Sequence, residues 1–284
     1  MKPILLIGGT GTVGSQVASQ LAERNVPVRV LARNPENVRL PFQVDLVCGD
    51  LTRSETLDAC LDGIDTVFLV WVAPPAAVVP ALGRILKSVR RVVFLSAPLK
   101  TPHPLFQQPN AARNLALQIE QIIEASGREW TFVRPGMFAP NAKEWWGEQI
   151  RSGNPVRWPY LDTPTAPTDE RDIAAVAVRA LTENGHAGAE YVLTGPQSLT
   201  QREQIETIGK AIGHTLKIEE LTREEALREM LPAFPRPVVN MLLDAWAAAS
   251  GQPAFVSSTF QQITGKPAHS YFEWATDNAS AFKA

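Results

Sequence analysis

Residues 5–14 read LLIGGTGTVG, an apolar run that passes directly into four glycines within seven residues. Glycine in an ordered element costs about 0.5–1 kcal/mol in backbone freedom, so its concentration at one turn asks for a physical reason. Gly9, Gly11 and Gly14 satisfy G-x-G-x-x-G, and Gly8, Gly11 and Gly14 satisfy the overlapping G-x-x-G-x-x-G. At a strand-to-helix turn the first glycine permits a tight reversal, the second lets backbone approach a pyrophosphate, and the third lets helix and strand pack closely. The N–H groups that open the helix then face the anion, with the helix dipole assisting. The chemistry implied is dinucleotide binding.

About 20 residues on, an Asp or Glu would accept a hydrogen bond from the ribose 2′-hydroxyl of NAD. The sequence there is VRVLARNPE, with Arg33 in that place. A guanidinium pairs bidentately with a 2′-phosphate, so NADP(H) is expected in preference to NAD(H); a solvated surface arginine is the alternative. Other routes to chemistry are thin. There is no G-x-S-x-G elbow for nucleophilic hydrolysis. His186, His214 and His269 have no ligand spacing, and no metal is expected. Cys48 and Cys60 are too few for a disulfide framework or zinc site, which points to a reducing, cytoplasmic compartment.

The elements that must position these residues follow from periodicity. Short β-branched runs at 3–7, 27–31, 44–48, 65–70, 91–95 and 130–134 alternate with helical spacing over 13–24, 54–61, 76–88 and 107–126. Leu115, Ile119, Ile122 and Ile123, for example, share one helix face. The runs TVFLV and RVVFLS are apolar on both faces, as in strands covered by helices on both sides. The expected fold class is α/β, a Rossmann-type doubly wound parallel sheet. From about residue 135 a Trp- and Pro-rich stretch, WWGEQIRSGNPVRWPYLDTPTAPTD, breaks the rhythm and reads as a pocket wall. Capping boxes at Thr200 with Glu203, Thr222 with Glu225 and Ser270 with Glu273 then mark three helix starts. The organisation expected is a dinucleotide-binding core over 1–135, followed by a smaller, mainly helical substrate or cap region over 136–284. That region is interleaved with the core, with no independent linker.

Composition sets the outer bounds. At 284 residues, 45% of them hydrophobic and 20% charged, the chain can bury a sizeable core. A net charge of −2 gives no basic field for a nucleic-acid partner. The longest apolar run, 67–83, is broken by Pro74, Pro75 and Pro80, whereas a membrane span needs roughly 20 uninterrupted residues. The first strand begins within three residues of Met1, which leaves no room for a signal peptide.

The segments GGTGTVG, LARNP, CGDL, VWVAPP, FLSA, WTFVRPGMFAPN, RDIAAVAVRAL and ITGKPAHSYFEWATDNASAF occur in that order. With them the chain resembles the NmrA-like, atypical short-chain dehydrogenase/reductase family over nearly its whole length. The resemblance implies that Thr10, Gly11, Thr12 and Val13 line a pyrophosphate and that Arg33 takes the 2′-phosphate. It also implies that Asp50 and Leu51 flank the adenine, and that Val70, Trp71 and Val72 lie near the nicotinamide ribose. Asp50 in GDLT also reads as a loop acid capping the helix after it. The family so implied includes NADPH-dependent quinone, azo-dye and triphenylmethane-dye reductases and iminium reductases similar to festuclavine synthase. It also includes redox-sensing regulators that bind the nucleotide without turning it over.

One departure from the wider superfamily narrows the chemistry. That superfamily uses a Tyr and a Lys four residues later as a proton donor pair. Here Tyr160, Tyr191 and Tyr271 are followed at that spacing by Pro164, Gly195 and Ala275, and the helix NAARNLALQIEQII carries neither residue. Hydride transfer remains open to an acceptor that is already electron-poor, such as a quinone, azo compound, iminium ion or cationic dye. Flat acceptors want an aromatic pocket, for which Trp71, Met137, Phe138, Trp145, Trp146 and Trp158 are candidates, with Asn141 as a polar neighbour. Core packing is the alternative for several of them. Polar catalytic candidates are Ser96, which stands where the superfamily serine orients a carbonyl but, with no tyrosine partner, has bonding to backbone or cofactor as its alternative; Lys100, a phosphate contact or a solvated side chain; and His103, a proton donor or an exposed loop histidine. Two functions of different class follow: a reductase of a small molecule, and a nucleotide sensor acting through a protein partner.

Overall fold

The computed structural model describes residues 2–41 and 43–284. Two compact units emerge. The first takes the residues through Ala97, Ala111–Pro135 and Glu170–Val192; the second takes Pro98–Asn110, Gly136–Asp169 and Leu193–Ala284.

The first unit is a sheet wrapped by helices. Its elements are β1 (Ile4–Ile7), α1 (Thr12–Glu23), β2 (Val28–Ala32), β3 (Asp45–Cys48), α2 (Leu57–Leu61), β4 (Thr66–Val70), α3 (Val78–Ser88), β5 (Arg91–Leu95), α4 (Ala111–Ala125), β6 (Glu129–Pro135), α5 (Glu170–Thr182) and β7 (Ala189–Leu193). The strand order is β3-β2-β1-β4-β5-β6-β7. Parallel register sets Ile4 opposite both Val28 and Thr66, and Val70 opposite Leu95. Leu5, Ile7, Val67, Leu69, Val92 and Phe94 bury one sheet face under α2, α3 and α4. The alternate residues Leu6, Phe68 and Val93 are equally buried, and α1 and α5 pack against each other and onto the sheet. Side-chain alternation along a strand explains why these runs read as continuously apolar.

The expected strands all form, within one or two residues of the expected ends. AEYVL, which forms β7, was not among them; five residues between glycines, only the last of them fully buried, carry little periodic signal. The helix expected over 107–126 begins at Ala111, because Pro109 biases Gln108 to extended backbone (φ −68°, ψ 132°) and ends a separate turn at Pro104–Gln107. The first unit is also not the single span 1–135. Residues 170–192 belong to it because α5 packs on α1 and β7 pairs beside β6, while 98–110 belong to the second unit.

The second unit is mainly helical, with helices at Gln201–Ile212, Arg223–Met230, Arg236–Ala249 and Tyr271–Asp277 among others. All three capping boxes form, each with the Thr or Ser side chain accepting from the third helical N–H and the Glu returning to the cap N–H. Its core is built on Trp146, Trp246 and Trp274, all fully buried. No helix among the described residues is long and apolar enough to cross a membrane.

Candidate dinucleotide site

The glycine turn joins β1 to α1, and each glycine meets a different constraint. Gly8 has φ +83°, and a Cβ there would lie 2.7 Å from the Val70 Cβ. A Cβ on Gly14 would lie 2.1 Å from the Gly8 carbonyl oxygen and 2.8 Å from the Gly9 Cα, so helix and turn touch where only hydrogen fits. Gly11 is the N-cap of α1 in ordinary extended backbone (φ −82°, ψ 178°), and a Cβ there would meet the Gly8 oxygen at 3.4 Å. The fold therefore demands Gly8 and Gly14 but not Gly11. No side chain caps α1 and no acid stands in its first turn. A helix start left this way presents N–H donors to an anion. The cradle that a methyl would fill and the uncapped helix start both fit a pyrophosphate.

A groove of about 560 Å³ runs along the carboxyl ends of β1, β2, β3 and β4, inside the usual range for small-molecule sites. Of the expected residues it brings together Gly8, Thr10, Gly11, Arg33, Asp50, Leu51, Val70 and Val72. Arg33 is exposed at its rim and Val72 is 73% exposed. Asp50 accepts from the Thr52 backbone N–H and hydroxyl, both at 2.8 Å. The backbone hydrogen bond, then the hydroxyl, and further off the Arg53 and Arg33 charges hold its carboxyl below the usual range. Asp50 thus closes its own turn while lining the groove, and it is not the N-cap of the next helix.

Four expected residues are not part of this lining. Thr12 is exposed in the first turn of α1, and Val13 and Gly14 are buried in packing. Trp71 packs on the first unit's core, its indole N–H donating to the Ala73 carbonyl at 2.7 Å. In turn, the groove includes Asn34, Ala73 and Pro74, which lie within LARNP and VWVAPP but were not singled out as site residues, and Asn37, which no motif marks.

The polar candidates separate. His103 is 8% exposed and caps the Pro104–Gln107 turn: its Nδ1 accepts from the Leu105 N–H, and Nε2 donates to the Pro253 carbonyl at 3.0 Å. Both ring nitrogens are committed, so neither a proton-donor part nor an exposed loop position describes it. Lys100 is exposed. Ser96 directly follows β5 and donates its hydroxyl to Glu120 Oε1 at 2.6 Å. Arg134 grips the same carboxylate, Nε to Oε1 at 2.9 Å and Nη2 to Oε2 at 2.6 Å, and also bonds Glu190. Burial works against the Arg134 charge, but the hydrogen bonds and charges of Glu120 and Glu190 outweigh it and shift the guanidinium upward. This network had no sequence signature, because its members are separated by 14, 24 and 56 residues.

The expected aromatic pocket is largely core. Trp146 (0% exposed) and Trp158 (3%) are buried in the second unit, in a cluster with Trp145 and Trp246 whose ring pairs, mostly edge-on or tilted and stacked for Trp145 on Trp158, have centroid distances of 5.5–5.9 Å. Trp158 satisfies its indole N–H on Gln201 Oε1 at 2.7 Å. A unit of short helices needs large side chains to fill its centre, and tryptophan supplies the most area. Trp145, Met137, Phe138 and Asn141 remain half-buried, with Asn141 Nδ2 contacting the Met137 sulfur at 3.4 Å.

Sheet order, reversal between β1 and β4, glycine turn and groove define a Rossmann-type α/β protein shaped to take a dinucleotide. Comparison with known proteins makes the assignment specific. The NmrA-like family matches residues 1–262, and the chain belongs to that family. It is 38% identical, over 98% of its length and 99% of the relative's, to a (4-alkanoyl-5-oxo-2,5-dihydrofuran-3-yl)methyl phosphate reductase of Streptomyces griseus. It is 32% identical, over 99% of both chains, to an NAD(P)H azoreductase of Xenophilus azovorans. Among solved structures, an NADPH-dependent quinone oxidoreductase of Escherichia coli complexed with NADPH aligns with TM-score 0.81 at 21% identity, covering 96% of this chain and 99% of that one.

Proposed function

We propose that the protein is an NAD(P)H-dependent reductase that prefers NADPH and delivers hydride to a small, electron-poor conjugated acceptor. The observation that carries this reading is the uncapped start of α1 behind the glycine turn, opening on a groove with Arg33 at its rim. Gly8, Thr10 and Gly11 would hold the pyrophosphate, Arg33 the 2′-phosphate, and Asp50 and Leu51 the adenosine side. Thr12 and Val13 would add backbone N–H donors from the first turn of α1. Bound nicotinamide supplies the hydride, and the protein's task is to hold it against the acceptor.

The absence of Tyr-x-x-x-Lys favours acceptors that take hydride without a protein acid: quinones, azo compounds, iminium ions, or a carbon–carbon double bond polarised by carbonyls. The last class fits the alkanoyl-oxodihydrofuran named in the Streptomyces relative. Met137, Phe138, Asn141 and Trp145 are the candidates for contact with the acceptor.

Titration with NADPH, NADP⁺ and NADH, followed by the same protein with a panel of such acceptors, tests the reading. Tight NADPH binding with turnover supports it. Tight binding without turnover on any acceptor would refute the reductase and turn attention to a nucleotide sensor with a protein partner.

A further inference from the structure

Ser96 lies where a doubly wound sheet receives the second half of a dinucleotide. Such sheets consist of two mononucleotide-binding halves, with the ligand crossing the point where strand order reverses. The groove described above occupies the β3-β2-β1 half and ends on Val70 and Val72 at the end of β4. Val70 is in register with Leu95, so Ser96 stands one residue beyond that level on the neighbouring strand. A dinucleotide seated on α1 with its adenosine in the groove has its nicotinamide riboside directed toward this end of β5.

What Ser96 can offer there is fixed by its partners. Its backbone N–H donates to the Val133 carbonyl at 2.8 Å. Its hydroxyl proton goes to Glu120 Oε1 at 2.6 Å. Glu120 is 2% exposed and Arg134 1%, and the guanidinium fork occupies both carboxylate oxygens. A carboxylate gripped in this way accepts only, so the proton in the Ser96–Glu120 hydrogen bond is the serine's. Every donor on Ser96 is committed, and the lone pairs of Oγ are what remain.

We infer that Ser96 is a positioning residue that accepts a hydrogen bond from the nicotinamide riboside, from its carboxamide N–H or a ribose hydroxyl, and does not donate to the acceptor molecule. This rests on the dinucleotide-binding reading above. It inverts the polarity expected of a serine that orients a substrate carbonyl, and it leaves the protein without a hydroxyl donor at this strand end.

The test is binding by Ser96→Ala, measured with two probes: NADP⁺, and adenosine 2′,5′-bisphosphate, which lacks the nicotinamide riboside. Loss of one hydrogen bond is expected to weaken NADP⁺ about five-fold and to leave the bisphosphate unchanged, with Ser96→Thr restoring NADP⁺. In turnover, KM for NADPH should rise while kcat falls by one common factor for every acceptor. The 3-acetylpyridine analogue of NADP⁺, which has no carboxamide N–H, separates the two sources. Weaker binding of the analogue by the native protein but not by Ser96→Ala selects the carboxamide; equal loss in both selects the ribose hydroxyl. Unchanged NADP⁺ affinity in Ser96→Ala overturns the inference, as does equal weakening of both probes or a kcat loss confined to carbonyl acceptors. If the native protein binds neither probe, the dinucleotide reading itself has failed, and that outcome is distinct from the others.

Discussion

The two glycines of the α1 turn make opposite predictions, and the pair tests whether the turn is shaped by packing or by its ligand. In Gly14→Ala the new methyl would start 2.1 Å from the Gly8 oxygen, about 0.9 Å inside the 3.0 Å that real Cβ atoms respect, and 2.8 Å from the Gly9 Cα. Both obstacles are backbone, so the turn or α1 must move. Overpacking of this kind costs about 1–3 kcal/mol, which for a chain of this size lowers the melting temperature by about 2–5 °C. On the proposed function dinucleotide binding should fall with it, because the displaced turn carries the N–H groups that would hold the phosphates. In Gly11→Ala the methyl starts 3.4 Å from the Gly8 oxygen in a backbone conformation open to any residue. Stability should then change by at most about 1 kcal/mol, the scale of an N-cap exchange, while NADPH affinity falls at least ten-fold as the methyl meets the pyrophosphate. Thermal melts with and without NADPH, and a binding titration of each variant, read both quantities. A Gly14→Ala protein as stable as the native one would refute the packing argument. A Gly11→Ala protein that binds NADPH normally would refute the claim that Gly11 exists for close approach of the ligand.

Other expectations follow from single sites. Arg33→Asp should weaken NADPH at least ten-fold and leave NADH equal or better, since an acid there suits a free 2′-hydroxyl; unchanged discrimination in paired titrations would remove Arg33 from the 2′-phosphate. Tyr271 is 2% exposed, its hydroxyl finds no hydrogen-bond partner among the described residues, and burial pushes its ionisation up. Tyr271→Phe should therefore leave the urea midpoint unchanged or raise it, and a clear drop would reveal a partner for the hydroxyl. His186 is shifted below its ordinary 6.5 mainly by burial, against the pull of Glu183. The unfolded chain then takes up a proton that the folded one refuses, so this contribution is intact above about pH 6.5 and is lost as pH falls through 6.5 toward the folded value. Urea melts between pH 7.5 and 5 should show a decline that His186→Gln reduces, and identical slopes would exclude the histidine.

Legibility in the sequence followed the range of the interaction. Alternating and 3.6-residue patterns exposed six strands and the first helices, and the capping boxes were read from pairs three residues apart; all of these are fixed by neighbours in the chain. The glycine turn was legible for the same reason: Gly8, Gly11 and Gly14 act on one another across six residues. The place of Arg33 in the groove lining was legible because a strand end is a fixed address in this topology.

What only the tertiary structure decided lies at long separation. Trp146 and Trp158 carry the same composition signal whether they line a pocket or fill a core, and it is the packing of Trp145 and Trp246 around them that makes them core. His103 became a cap through Pro253, 150 residues away. The polarity of Ser96 is set by Glu120, and that of Glu120 by Arg134. The sequence determined where backbone would bend and which faces would be apolar, because sterics and periodicity act locally. The fold decided which polar atoms were spent on each other and which were left for a ligand, because hydrogen-bond partners are chosen by proximity in space.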